Sequence, residues 1–260
     1  MQNYNAIIPL IDFLIAVLAC LILLFGNRKR SYTKYLLFGA ILTFAYLNLI
    51  VALVVNGDII NFPNLYRTAS PGVYLTAPLI YLYTRAILKN ESRLKWKDCI
   101  HFVPAILHTF ELMPFFLKST DYKKELLYTV INNPDSAIPI SEGIIPPNLQ
   151  FFIRTGLGII YFSTALVLIW KYWKHKRPFI KDIKLQFSWL SWFNIMMLFI
   201  YVFVFLLLVL ENQIGTIINF TTLLLSITFL GILLILFFRP QILYGFSEFA
   251  DENILPTSNQ

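Results

Sequence analysis

The hydrophobic residues of this chain fall into long uninterrupted runs and not into alternating or one-sided patterns. Seven runs are separated by polar segments, at about residues 6–25, 35–55, 68–88, 99–117, 149–170, 187–210 and 215–238. A helix of roughly 20 residues crosses the ~30 Å hydrocarbon core of a bilayer. Barrel strands are shorter and alternate in hydrophobicity. The pattern therefore predicts an all-α integral membrane protein, folded as a seven-transmembrane helix bundle.

The third and fourth runs flank a compact basic segment, KNESRLKWKD, at residues 89–98. Two apolar runs joined in this way predict a transmembrane hairpin whose basic loop stays in the cytoplasm. Pro71, Gly72 and Pro78 interrupt the third run. They predict a kinked helix and not the loss of the span, because neighbouring helices can satisfy the freed backbone groups.

The charged residues between the runs predict the orientation. If all seven runs cross the membrane, 16 of the 21 Lys and Arg residues fall on one side, which is the cytoplasmic side. The N-terminus is then outside and the C-terminus inside. The first residues carry no basic side chain, unlike those of a signal peptide, so the first run is expected to remain as an anchor. Residues 1–246 form the predicted transmembrane domain, and residues 247–260 form a cytoplasmic tail.

The longest outer segment, residues 118–148, contains four prolines and the sequence DYKKELLYTV. The prolines predict an irregular connection, and DYKKELLYTV predicts a short helix within it. The segment is expected to be a solvated connection, with a lid over the bundle as the alternative.

Composition agrees with the hydropathy pattern. Hydrophobic residues make up 58% of the chain and charged residues only 13%, about half the charged fraction of a soluble domain. The net charge of +7 follows from the basic cytoplasmic loops and does not indicate nucleic-acid binding. The predicted location is a membrane that the chain crosses several times, with membrane lipid as a partner.

No enzyme motif is present: the chain has no P-loop, dinucleotide fingerprint, Cys-x-x-Cys pair or His-Glu-x-x-His sequence. We expect no enzyme activity, no catalytic residue and no cofactor. A metal site built from His101, His108 and Glu111 is the weaker alternative, because His101 and Glu111 are ~15 Å apart along a helix. The sequence therefore predicts no metal site. An intramembrane enzyme using Asp12 and Glu111 as an acid pair, or His108 as a base, is a further alternative.

Three charged residues interrupt the apolar runs at similar depths. Asp12, Glu111 and Arg154 each lie about five or six residues inside the predicted outer end of a span, roughly 8–9 Å deep. Charged residues at such depths tend to face the bundle interior and to pair. We therefore predict an outward-opening polar cavity, lined by Asp12, Glu111 and Arg154 with His108 one turn deeper, that holds either a small ligand or a structural ion pair. Snorkelling of these side chains to the near interface is the alternative.

Three segments carry a family resemblance. Residues 78–88, PLIYLYTRAIL, are followed by a basic loop and by HFVPAIL at residues 101–107, and FFRPQILYGF occupies residues 237–246. These segments resemble the membrane half of multi-span AraC-family transcriptional regulators, which are typical of Bacteroidetes. In that family a sensor of several spans precedes a cytoplasmic helix-turn-helix domain. This chain stops at Gln260 without such a domain, so the resemblance does not imply direct nucleic-acid binding by this chain.

The resemblance implies a membrane sensor that passes an external or membrane signal to cytoplasmic transcription regulation. A helix-turn-helix regulator, or a missing C-terminal domain, would receive the signal through the exit of the last span, with Arg239, Pro240 and Tyr244 as output residues. A homodimer is compatible with this interpretation. The alternative is a small transporter or channel, although polar residues are concentrated in the outer third of the predicted spans.

Overall fold

A computed structural model describes residues 2–26, 32–132, 142–176, 181–210 and 214–238, and every regular element in these ranges is helical. The α-helices are α1 (Gln2–Leu21), α2 (Tyr32–Asn56), α3 (Ser70–Lys89), α4 (Val103–Glu111), α5 (Met113–Phe116), α6 (Thr120–Asn132), α7 (Pro147–Lys176), α8 (Lys181–Leu210) and α9 (Ile214–Phe238). A π-helical turn covers Ile22–Gly26, and 3-10 turns cover Asp58–Asn61, Pro63–Leu65 and Trp96–Phe102. The all-α prediction is confirmed.

Four of these helices are long and apolar enough to cross a membrane, as expected of a membrane protein. They contain residues Ala6–Phe25, Tyr32–Asn56, Leu149–Lys174 and Phe187–Leu210. The segment Leu224–Phe238 of α9 is apolar but shorter. Helix α3 has 20 residues, enough to span, but it is more polar than these four.

The long helices form a closed ring. Each of α1, α2, α3, α7, α8 and α9 packs against the next in that order, and α9 packs back against α1. Across the interior, the rings of Phe44 on α2 and Phe229 on α9 stack with their centroids 4.6 Å apart. Asn194 Nδ2 on α8 donates to Thr84 Oγ1 on α3 at 3.3 Å. Helix α4 is not part of the ring and packs against α3.

The hairpin region agrees with the prediction from the sequence in its third span and differs from it in its fourth. Helix α3 continues through Pro78, so the prolines do not end this segment. The fourth predicted span is not one continuous α-helix, because residues Trp96–Phe102 are 3-10 and α4 ends at Glu111. Pro104 and Pro114 stand at the starts of α4 and α5. A proline at these positions starts a helix readily but cannot lie in the interior of one without losing a backbone hydrogen bond.

A small second core covers the end of the bundle at which α3 begins. Helix α6 corresponds to the helix predicted around DYKKELLYTV. Its Leu126 and Leu127 pack with Ile59, Tyr66 and Phe115. The buried ammonium of Lys123 donates to Asn64 Oδ1 at 3.0 Å and to the Phe116 carbonyl at 2.8 Å. We refer to the 3-10 turns within residues 58–65 together with α6 as the cap.

The opposite end of α3 is held by a group of paired charges. Arg85 donates two parallel hydrogen bonds of 2.7 Å to the carboxylate of Asp98 and a third, of 2.9 Å, to Glu91. Lys95 Nζ approaches Glu91 at 2.6 Å, and the Lys95 amide donates to Asp98 at 2.9 Å. The basic loop is therefore folded back onto α3, with the three charged side chains of Arg85, Asp98 and Glu91 almost buried.

Acid should weaken this arrangement. The Arg85 guanidinium holds the pKa of Asp98 at about 2, below the ordinary value of about 4. Between these values the unfolded chain binds a proton that the folded protein does not. The contribution of Asp98 to stability is thus complete above about pH 4 and is lost as the pH falls towards about 2. Thermal unfolding of Asp98→Asn, measured from pH 7 to pH 2, should depend less steeply on pH in that window than unfolding of the wild-type protein.

Candidate functional site

The polar side chains nearest the cap come from three parts of the chain. Ser70 and Tyr74 lie in the first turns of α3, His108 and Glu111 lie in the last turns of α4, and Gln150 lies in the first turn of α7. Helix ends place these side chains here because the chain enters α3 and α7, and leaves α4, at the same end of the bundle. We call these five residues the polar cluster.

His108 is held on three sides. Its Nε2 lies 2.8 Å from Ser70 Oγ, and its ring lies 4.6 Å from the ring of Tyr74, centroid to centroid. Its Nδ1 lies 2.9 Å from Glu111 Oε2, one helical turn away. These two atoms are close but do not meet hydrogen-bond geometry. Both ring nitrogens therefore face polar oxygens within a buried site.

Glu111 joins α4 to the segment that leads into α7. Its Oε1 accepts hydrogen bonds from the Ile145 amide at 3.1 Å and from Gln150 Nε2 at 3.0 Å. Gln150 Nε2 also donates to the Ile145 carbonyl at 2.9 Å. Gly143 approaches this carboxylate so closely that a β-carbon there would lie 1.8 Å from Glu111 Oε1. The site therefore requires glycine at position 143.

An ion pair joins the same segment to the chain just before α3. Arg67 pairs with Glu142, which also accepts a hydrogen bond from Tyr66 Oη at 3.2 Å. Arg67 has a φ of 67°, an unusual conformation for a residue with a side chain and one that is enriched at functional sites. Burial raises the pKa of Tyr66, which therefore remains a neutral hydrogen-bond donor.

Arg154 lies next to the polar cluster but is not paired within it. Its guanidinium carbon lies 4.8 Å from the centre of the Phe151 ring. Its charge acts on His108, Tyr74 and Tyr201. Among the residues that the structure describes, no carboxylate lies within 4 Å of Arg154. A partly buried guanidinium of this kind can bind an anionic or strongly polar group.

The structure brings together three of the four residues predicted to line a cavity. His108 and Glu111 are in contact, and Arg154 lies within electrostatic range of His108. Asp12 lies elsewhere: it is fully buried on α1, and the polar side chain facing it is Ser226 on α9. The predicted grouping of Asp12 with Glu111 and Arg154 is therefore not seen among the described contacts.

The alternative metal site finds no support in the positions of its residues. His101 Nδ1 lies 2.9 Å from Tyr161 Oη on α7, while His108 contacts Ser70 and Glu111. Within the described ranges, no three His, Cys, Asp or Glu side chains lie close enough together to hold a metal ion.

Several residues of the site were not predicted from the sequence. Ser70, Tyr74 and Gln150 look ordinary at the ends of apolar runs, and Arg67, Glu142 and Gly143 lie in segments predicted to be loops. The only signal was that each lies at the outer end of a predicted span or in an outer loop. Comparison of the chain with protein-family profiles, with curated proteins and with solved structures gave no significant match.

Proposed function

We propose that this protein is a membrane sensor that passes an external or membrane-borne signal to cytoplasmic transcription regulation. In this proposal all seven apolar runs cross the bacterial cytoplasmic membrane, with the N-terminus outside and the C-terminus inside. The polar cluster and the cap then face the outside. The group of paired charges around Arg85 faces the cytoplasm, in agreement with the basic loops at that end.

The observation that carries the proposal is the position of Arg154. Its guanidinium has no carboxylate partner among the described residues, whereas the neighbouring Glu111 and Glu142 are occupied by other donors. A partly buried cation that lies over the Phe151 ring and within electrostatic range of Tyr74 and Tyr201 suits a small ligand that has an anionic or acceptor group and an apolar part. The ligand would contact α3, α4 and α7 together and could shift one helix against another.

In this proposal the signal passes from the helix bundle to the cytoplasm through the end of α9. Arg239, Pro240 and Tyr244, the proposed output residues, lie outside the described residues. The receiving partner is a helix-turn-helix regulator or a C-terminal domain carrying one, and the proposal assigns no direct nucleic-acid binding to this chain. A homodimer in the membrane is compatible with this arrangement.

One observation favours the alternative of a small transporter or channel. Buried polar side chains also occur deeper in the ring, at Asn48, Thr84, Asn194 and Ser226. A substrate that crosses the membrane needs polar groups along its whole path. Uptake of labelled amino acids, sugars or small anions into proteoliposomes that contain the full chain would support this alternative.

Transcript profiles test the sensor proposal. The organism that encodes the protein would carry the wild-type gene, a deletion, or the chromosomal variants Arg154→Gln and Lys95→Ala. We expect the deletion to change a defined set of transcripts and Arg154→Gln to reproduce most of that change at equal protein level in the membrane. Lys95→Ala should leave the transcripts as in the wild type, because its side chain lies mostly in water at the other end of α3.

The same strains also give the results that would contradict the sensor proposal or its ligand site. An unchanged transcript profile in the deletion would overturn the sensor proposal, and an immunoblot shows whether the protein is made under those conditions. A change in the deletion that Arg154→Gln does not reproduce would retain signalling but reject the polar cluster as the ligand site. Glu111→Gln provides a second variant at the same site.

A further inference from the structure

Asp12 is a buried acid without a partner. Its side chain is fully buried between helices, and neither carboxylate oxygen has a hydrogen-bond partner among the described residues. An ionised carboxylate in a lipid-embedded bundle is costly unless a cation or several donors stabilise it. The surroundings of Asp12 therefore decide which form of the side chain can exist there.

The described side chains near Asp12 donate their hydrogen bonds to other residues and not to Asp12. The Ser226 side chain faces the carboxyl group but donates its proton to Asn48 Oδ1 on α2, at 3.0 Å. Asn48 Nδ2 in turn donates to the Phe44 carbonyl at 3.1 Å. The Ser226 hydroxyl has one proton and two lone pairs. While that proton is directed to Asn48, Ser226 can only accept a hydrogen bond from Asp12.

The elements packed against α1 bring no described counter-charge to Asp12. Helix α9, Ile214–Phe238, contains no titratable side chain. The titratable residues of α2 are Tyr32, Lys34, Tyr35 and Tyr46. Lys34 Nζ donates to the Leu24 carbonyl in the π-helical turn that follows α1, and Tyr46 Oη bonds Thr68 Oγ1 at 2.6 Å. Tyr32 and Tyr35 lie in the first turn of α2, beside Lys34. On α1 itself, Cys20 lies about two turns from Asp12.

We propose that Asp12, Ser226 and Asn48 form an intramembrane proton-binding site in which Asp12 is the protonated group at neutral pH. Its carboxylic acid hydroxyl donates to Ser226 Oγ, Ser226 donates to Asn48, and Asn48 donates to the α2 backbone. Only this direction of donation gives each of the three side chains a hydrogen-bond partner. The site joins α1, α9 and α2, and it does not depend on the sensor proposal.

Loss of this proton would change the packing of the ring. An ionised Asp12 would repel the Ser226 oxygen lone pair that faces it and would leave an unpaired charge inside the bundle. The charge could be satisfied only if water entered between α1 and α9 or if Ser226 turned away from Asn48. The proton therefore favours the closed form of the ring.

Infrared spectroscopy of the full chain in lipid nanodiscs at pH 7 tests the proposal. We expect a carboxylic acid C=O stretch in the wild-type protein that disappears in Asp12→Asn. Ser226→Ala should shift this band to higher frequency, because the acid loses its acceptor. The matched control is Thr228→Ala on the same helix. The Thr228 hydroxyl bonds its own backbone at the Leu224 carbonyl, so the band should not move.

A second measurement uses the wild-type protein alone, so it remains possible if one of the variants does not fold. Labelling all aspartates of the wild-type protein with ¹³C at the carboxyl carbon should shift the same acid band to lower frequency. Wild-type spectra at pH 7 without such a label-sensitive acid band would show that every aspartate is ionised and would overturn the proposal. A label-sensitive band that persists in folded Asp12→Asn would assign the proton to another aspartate and would also overturn it.

Discussion

Replacing Gly158 with alanine should destabilise the bundle by about 3 kcal/mol, near the upper end of what overpacking costs. A β-carbon at this position of α7 would lie 2.1 Å from two ring carbons of Tyr201 on α8. The Tyr201 ring cannot simply swing aside, because it is buried and packs against Phe162, with ring centroids 5.2 Å apart. The helices α7 and α8 must therefore separate locally. Thermal unfolding in detergent, followed by loss of the monodisperse peak in size-exclusion chromatography, measures the effect.

Gly156 provides the matched control for this prediction. It lies two residues earlier in α7, and a β-carbon there would have no atom within 4 Å. Gly156→Ala should therefore raise stability slightly, by up to about 1 kcal/mol, because alanine is the better helix former. Equal stabilities of the two variants would show that α7 and α8 do not approach each other at Gly158.

Arg85→Ala should cost about 3–5 kcal/mol, the amount expected when one partner of a buried ion pair is removed. The variant leaves the carboxylates of Asp98 and Glu91, only 5% and 7% exposed, without the guanidinium that holds both. The basic loop should then detach from α3 and become accessible. Unfolding temperature and limited proteolysis within residues 89–98 would report the two effects together.

A variant of the neighbouring Lys95 tests whether the loss of stability depends on the burial of the charge that is removed or on its charge alone. Its side chain is 60% exposed and pairs with the same Glu91, so Lys95→Ala should cost no more than about 1 kcal/mol. The double variant Arg85→Met with Asp98→Leu should be more stable than Arg85→Ala, because it removes two of the three buried charges and leaves Glu91 paired with Lys95. If Lys95→Ala lost as much stability as Arg85→Ala, burial would not explain the difference expected between these two variants.

Hydropathy predicted the fold class and most helix positions well. The run at residues 35–55 corresponds to α2, and the helix predicted around DYKKELLYTV corresponds to α6, because helix formation there depends on local composition. The break between α4 and α5 was not predicted. Pro104 and Pro114 were visible in the sequence, but whether a proline bends a helix or begins a new one depends on the helices around it.

The candidate site was predictable only in part, for a physical reason. Depth along a helix follows from counting residues, so the sequence could suggest that Glu111 and Arg154 lie near one another, and in the structure both lie near His108. The direction of a side chain around the helix axis, and the identity of its neighbour, depend on the order of helices in the ring. Asp12 was predicted at a similar depth, but its side chain faces Ser226 on α9. Ser70 and Gln150 gave no signal because single polar residues at helix ends are common.

The closed ring also sets the order of events during synthesis. Helix α1 is made first, yet one of its two neighbours is α9, which contains Ser226 and follows more than 200 residues later. At roughly 5–20 residues per second, that delay is about 10 to 40 s. During this time the surface of α1 that carries Asp12 has no partner from its own chain. A nascent bundle that has not received its last helix therefore holds the Asp12 side chain without the neighbour that faces it in the finished ring.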